Sequence, residues 1–111
     1  MDKKLLKYTP LTEATYYILL SLTKPLHGYG IIKKVEEITN GRLRIAPGTL
    51  YGVLTNLLRN ELIKLHSIDL SGKKKKTYEV TSDGTKLLYY EITRLREMVD
   101  NGMREIDDYY E

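Results

Sequence analysis

Leu11, Ala14, Ile18 and Leu22 recur at helical spacing and predict a helix over about 10–23, with Thr9 as its N-cap and Pro10 at the first helical position. Lys24-Pro25-Leu26-His27-Gly28 breaks the pattern. Ile31, Val35 and Ile38 form the apolar stripe of a second helix over about 28–39, with Lys33, Lys34, Glu36 and Glu37 on its wet side. Asn40-Gly41 stops it, because both residues tolerate the left-handed conformation. A short basic connector carries Arg42 and Arg44. Ala46-Pro47-Gly48-Thr49 then starts a third helix, and Leu50, Val53, Leu54, Leu57 and Leu58 keep a helical stripe over about 47–60.

After the third helix the period changes. Ile63 and Leu65 alternate with Lys64 and His66 as in a strand, Ser71-Gly72 make a turn, and Thr77-Tyr78-Glu79-Val80 read as a second strand, which completes a hairpin. Thr81 caps a last helix that has Asp83 in its first turn. Along it Leu88, Ile92, Leu95 and Val99 step by four, three and four, the seam of a helix that packs on another helix. Gly102 weakens the seam, Met103 and Ile106 resume it, and the tail Asp107-Asp108-Tyr109-Tyr110-Glu111 frays. The expected fold is mainly α with a small β-hairpin (α+β): a winged helix-turn-helix over residues 1–81 followed by a long C-terminal dimerisation helix over 82–111, in one compact unit.

Composition narrows the chemistry. The chain has 111 residues, enough for one domain with a modest core, so burial through self-association would help it. Cys is absent, which removes disulfides, thiolate metal sites and Cys nucleophiles and agrees with a reducing, cytoplasmic setting. No apolar run approaches the roughly 18 residues of a membrane span, and no signal-peptide pattern follows the N-terminus. All ten aromatics are Tyr, so Tyr serves as the core aromatic, with some rings also facing polar partners. The net charge of +3 is unevenly spread: residues 1–76 hold 14 Lys and Arg against 6 Asp and Glu, whereas 77–111 hold 4 against 9. A basic front and an acidic tail suggest that only the front faces a polyanion.

At 100° per residue, the third helix sets Gly52, Thr55, Asn56 and Arg59 opposite its leucine stripe, with Thr49 and Tyr51 on the flanks. This face is narrow, short-chained and hydrogen-bonding, suited to a DNA major groove. Thr and Asn can read base edges there, while Arg59 meets a guanine edge or a phosphate. Gly48 and the amides near Thr49 suit a phosphate at the helix N-terminus. A solvated amphipathic helix would carry a similar face. Lys73, Lys74, Lys75 and Lys76, beside a Gly turn, concentrate like charge at the tip of the ribbon, where a phosphate backbone relieves their repulsion. A lysine run alone is more often plain solvated surface.

Leu26-His27-Gly28-Tyr29-Gly30-Ile31-Ile32, Pro47-Gly48-Thr49-Leu50-Tyr51, Leu62-Ile63 and Lys76-Thr77-Tyr78-Glu79-Val80-Thr81-Ser82-Asp83-Gly84 together resemble the PadR family of transcriptional regulators, over about residues 10–103. The resemblance implies a winged-helix domain dimerised through its C-terminal helix, and repression of a nearby transporter or detoxification operon. It also implies, for some small members, a drug-like aromatic effector bound at the dimer interface. Three features depart from the family. Asn56 stands where many relatives carry Arg. Glu61 stands where most have Gly, so either the turn is strained or the helix extends by a residue. The multidrug-binding members project an aromatic, commonly Trp, from the last helix, but Ile92-Thr93-Arg94-Leu95-Arg96 has none. Tyr89 and Tyr90, one turn earlier, are open to either packing or ligand contact.

The expected assembly is a homodimer joined through Leu88, Ile92, Leu95 and Val99 with Leu11 and Ile18 nearby, holding two reading helices roughly 34 Å apart on an inverted-repeat duplex. Its DNA surface comprises Arg42, Arg44, Gly48, Thr49, Tyr51, Gly52, Thr55, Asn56, Arg59 and Lys73–Lys76, and Tyr89, Tyr90 and Leu95 form a candidate pocket for a small hydrophobic or aromatic effector. No cofactor or metal is expected. An enzyme finds no support, since nucleophile-elbow, P-loop and HExxH patterns are all missing and His27 and His66 lie in a loop and a strand. A winged-helix protein adaptor remains the alternative, separable by the salt dependence of DNA binding. Double-stranded RNA is disfavoured because its deep, narrow major groove would exclude the third helix.

Overall fold

A computed structural model describes residues 2–69 and 75–110, the side chains of 108–110 excepted. Its elements are α1 (Lys3–Leu6), α2 (Glu13–Ser21), β1 (Leu26–His27), α3 (Gly28–Ile38), α4 (Pro47–Arg59), β2 (Ile63–Asp69), β3 (Lys75–Val80) and α5 (Ser82–Tyr110). Helices α2, α3 and α4 enclose a core to which they give Ile18 and Leu19, Ile31 and Val35, and Leu50, Leu54 and Leu57, all buried. Each of the three α4 leucines contributes on the order of 2 kcal/mol through burial. This is the leucine stripe expected from the spacing, and it forces the opposite face of α4 outward.

Helices α3 and α4 end in the same way. Beyond α3, Asn40 stands at φ +52°, with Asn40 N–H donating to Glu37 O and Gly41 N–H to Glu36 O. Beyond α4, Glu61 stands at φ +58°, with Glu61 N–H donating to Leu58 O and Leu62 N–H to Leu57 O. Both are Schellman closures. Glu61 thus takes the strained turn, and the helix is not extended. The bond to Leu57 fixes where Leu62 and Ile63 enter the core, both about 2% exposed.

The hairpin is the outer part of a three-stranded antiparallel sheet, ordered β1-β3-β2. Leu26 pairs with Tyr78 and His27 with Thr77, while Ile63 pairs with Val80 and Leu65 with Tyr78. A register shift between Leu65 and Ser67 leaves His66 bulged. The expected turn at Ser71-Gly72 lies outside the described residues, as do Lys73 and Lys74. Strand β1 was not anticipated, because two residues after a proline carry no period and are held by a partner some fifty positions away.

The chain start differs from expectation. Thr9 is not the N-cap of α2 and Pro10 does not open it: the Thr9–Pro10 bond is cis, and Thr12 caps the helix by accepting from Thr15 N–H at 3.2 Å. The cause is tertiary. Leu11 N–H donates to a carboxylate oxygen of Glu91, whose side chain is 1% exposed and also accepts from Arg94 Nε at 2.6 Å. That pairing holds the Arg94 guanidinium above its usual range. Segment 2–11 is further tied to α5 by Lys4 Nζ on Asp83 at 3.0 Å and Asp2 N–H on the Tyr90 hydroxyl at 3.0 Å, with Leu5 fully buried.

Helix α5 begins as expected, with the Thr81 hydroxyl accepting from Gly84 N–H at 3.1 Å. Gly84 lets α5 meet the sheet closely, since a β-carbon there would lie 2.2 Å from Leu62 O. Leu87, Leu88 and Glu91 turn inward, but every described side chain from Arg96 to Asp107 is exposed. At 1.5 Å per residue α5 runs about 43 Å, and it stretches the molecule to 61 × 34 × 21 Å.

Glu61→Gly removes the left-handed penalty and is expected to raise unfolding free energy by about 1 kcal/mol, read as a higher urea midpoint. No change would mean that the turn is relaxed. Glu91→Ala strands Leu11 N–H and Arg94 and is expected to lower stability by about 2 kcal/mol in the same assay. An unaltered midpoint would show that the strap does not depend on this carboxylate.

Candidate nucleic-acid interface

The outward face of α4 is the ridge the sequence describes. Thr49, Tyr51, Gly52, Thr55, Asn56 and Arg59 are all exposed, as is Gly48. The space where β-carbons would stand on Gly48 and Gly52 is open to 4 Å, so a partner surface can approach the helix backbone there. Ala46, the N-cap, offers no side-chain acceptor to the first-turn amides. Thr55 Oγ1 donates to Tyr51 O at 2.8 Å and Asn60 Nδ2 donates to Asn56 Oδ1 at 3.3 Å. The Thr55 lone pairs and the Asn56 amide hydrogens therefore face outward, available to a partner.

Beside this ridge stands the wing. Lys75 and Lys76 on β3 are exposed, and they line a cleft of about 390 Å³ together with His27, Gly28, Tyr29, Tyr51 and Tyr78. The cleft therefore joins the start of α3, the flank of α4 and the wing on one side of the molecule. Burial, with Tyr51 nearby, raises the Tyr78 phenol above its usual value, so it remains a neutral hydroxyl at the floor. Farther out, Lys64 and His66 both approach Glu79 Oε1, at 3.5 and 3.4 Å. Lys64 is thereby partly compensated. The sequence places the lysine run close after the third helix, and Lys75 and Lys76 share a cleft with Tyr51 of α4. Lys73 and Lys74 lie outside the described residues.

The two connector arginines diverge. Arg44 is exposed, with its Nε 3.4 Å from Glu36 Oε1 on α3. Arg42 turns the other way. It pairs with Glu13 on α2, which keeps the guanidinium above its usual range, and it lines a hollow of about 410 Å³ with Leu11, Tyr16, Tyr17, Glu91, Arg94 and Leu95. Closeness in sequence to α4 does not set the direction of the Arg42 side chain; Glu13 captures it.

The expected self-association face also needs sorting. Ile18 is 0% and Leu88 4% exposed within a single protomer, so both belong to its own core and have almost no surface left for a partner. Ile92 and Leu95 are half-buried, Leu11 likewise, and Val99 is exposed. Met103 and Ile106, expected to resume the seam, and Met98, which was not singled out, are exposed with Val99 along the distal α5. The suggested effector trio does not converge. Leu95 lines the Arg42 hollow, Tyr90 lines a second hollow with Leu6 and Thr9, and Tyr89 borders an apolar groove with Leu20 and Ile92. The Arg42 hollow was missed by sequence reasoning. Its Tyr16 and Tyr17 rings meet edge to face at 5.4 Å, and burial, then Tyr17 and Glu91, raise the Tyr16 phenol above its usual range.

No helix among the described residues is long and apolar enough to cross a membrane. The family model described as "Transcriptional regulator PadR-like family" matches residues 18–90. Among curated proteins no significant match is found. Solved structures give 87 significant matches. One is a PadR family transcription regulator from Clostridium difficile R20291, at TM-score 0.71 and 26% identity, covering 86% of this chain and 98% of that one. Another is a transcriptional regulator from Clostridium thermocellum, at TM-score 0.70 and 20% identity over 95% of this chain and 96% of that one. A third is Bacillus subtilis PadR in complex with operator DNA, at TM-score 0.64 and 24% identity over 73% of this chain and 47% of that one.

Proposed function

The chain belongs to the PadR-like family of transcriptional regulators, which are not enzymes, and from that premise we propose that it binds operator DNA as a homodimer and acts as a ligand-responsive repressor. The observation that carries the reading is the shared face of α4 and the wing. Thr49, Thr55, Asn56 and Arg59 form an uncapped polar ridge, and Tyr51 on its flank shares a cleft with Lys75 and Lys76. Such a ridge fits a major groove, with the short side chains reading base edges. The wing lysines meet the adjacent backbone, where counterion release drives binding regardless of sequence. The solved complex of the Bacillus subtilis relative with operator DNA supports the same use of this fold.

The distal half of α5 supports dimerisation. It sets Val99, Met103 and Ile106 along one stripe in water, each about half exposed or more. Continuing from Ile92 and Leu95, that stripe is the heptad-like seam of a helix that pairs with another. A two-fold pair would present two reading helices about 34 Å apart and favour an inverted repeat. The Arg42 hollow between α2 and α5 is the best candidate for an effector seat. A ligand there would press on α5 and change the spacing of the reading helices, so ligand and DNA would oppose each other. A transporter or detoxification operon is the kind of target that the family resemblance suggests.

Selection of duplexes from a random pool tests the reading and is expected to return an inverted repeat. On the selected duplex, Lys75→Ala with Lys76→Ala should weaken binding to every sequence alike and reduce the slope of log affinity against log salt by up to about 2. Asn56→Ala should instead flatten discrimination at one base-pair position by about 1–3 kcal/mol. A pool that yields no consensus, or wing variants with unaltered salt slopes, would contradict the proposal.

A further inference from the structure

Gly28 opens α3 and is buried. A β-carbon on it would lie 2.8 Å from Tyr51 Oη and 3.3 Å from Tyr51 Cζ. The phenol of α4 is therefore laid across the first turn of α3, with its hydroxyl in the space that any side chain on residue 28 would claim. Tyr51 is nonetheless 54% exposed, so core packing does not hold it in place. The missing β-carbon lets it lie there. Tyr51 in this position lines the cleft of about 390 Å³ together with Lys75, Lys76, Tyr29, His27 and Tyr78. Among the described residues, two ammonium groups, three phenols and the His27 imidazole line this cleft, and no carboxylate does. That lining favours an anion able to accept hydrogen bonds.

We propose that the cleft seats one phosphodiester of duplex DNA, with the Tyr51 hydroxyl donating to a phosphate oxygen and Lys75 and Lys76 supplying the charge, and that Gly28 is a positioning residue that keeps Tyr51 in the cleft. The inference rests on the DNA-binding reading above and extends it. Tyr51 is assigned to the backbone and not to a base, and the His27-Gly28-Tyr29-Gly30 and Thr49-Leu50-Tyr51 segments become one device, the first making room for the tyrosine of the second. The obstructing atom in Gly28→Ala is the end of an exposed side chain. The substitution is therefore relieved by Tyr51 swinging outward, and the fold persists.

The test uses the full chain and two unrelated mixed-sequence duplexes of about 30 base pairs at low salt, where backbone contacts dominate affinity. Tyr51→Phe, which keeps the ring and removes the donor, is expected to weaken binding about tenfold, the effect of one charge-assisted hydrogen bond, and equally on both duplexes. Gly28→Ala should lose as much while keeping its helical circular dichroism and melting temperature. The combined variant should be no weaker than Tyr51→Phe alone, because residue 28 acts only through the hydroxyl. Wild-type affinity in Tyr51→Phe, or a loss confined to one duplex, overturns the phosphate seat. A further full loss when Gly28→Ala is added to Tyr51→Phe, or a Gly28→Ala protein that does not fold, overturns the positioning role, and Tyr51→Phe still decides the seat. Failure of the wild-type protein to bind either duplex sinks the DNA-binding reading itself and is recognised before any variant is compared.

Discussion

The structure depends on how one amphipathic helix is wedged. Leu50, Leu54 and Leu57 of α4 fill the centre of a small core, and the Schellman closure at Glu61 delivers Leu62 and Ile63 into the same core from the other side of a tight turn. Once those five side chains are seated, two things are no longer adjustable: the polar face of α4 points outward, and the strand that begins at Ile63 leaves alongside it. The wing is thus placed relative to α4 by this backbone turn, together with the pairing of β3 to β1 and the burial of Tyr78. That explains why a strained glutamate is kept where the chain must turn, and why Gly84 is needed where α5 closes on Leu62.

A second asymmetry lies along α5. Its first three turns are anchored by Leu87, Leu88 and the buried Glu91, which also holds the start of α2 through Leu11. In its last three turns every described side chain, up to Asp107, is exposed. A helix this long gains most of its stability from packing and not from propensity, so the bare distal half points to burial elsewhere. The anchored half and the bare half share one rigid rod. Any event at the α2–α5 junction, where the Arg42 hollow lies, would therefore reach the far end of the rod with its displacement enlarged. In the proposed ligand-responsive dimer, the mechanical link between a ligand and the separation of the two α4 helices would need no other element.

Much of this was legible in the sequence where the signal is local. The stripes of α3 and α4, the stop at Asn40-Gly41, the Thr81 cap and the exposed set from Thr49 to Arg59 all follow from period and end chemistry. Non-local ties were not legible. The start of α2 is set by a carboxylate eighty residues away, β1 exists only because β3 pairs with it, and α1 is held by Leu5 and the Lys4–Asp83 pair. Periodicity marks Ile18 and Leu88 as one face but cannot say whether the protomer or its partner covers them. Direction also escapes a sequence. Arg42 and Arg44 are neighbours in the connector, yet one faces α2 and the other α3. The two Gly-containing segments are visible as motifs, but that Gly28 makes room for Tyr51 depends on how α3 and α4 pack.

The central claim is that a polar ridge and a basic wing are held on the same side of a two-fold pair, so that two copies engage one duplex together. The most direct measurement is the mass of the protein–DNA complex by sedimentation equilibrium, on a duplex long enough for two half-sites one turn apart. The account predicts two protomers per duplex with no populated one-to-one species, and a dimer for the free protein. A stable complex of one protomer with one duplex, or a free protein that stays monomeric at the concentrations where it binds, would contradict it.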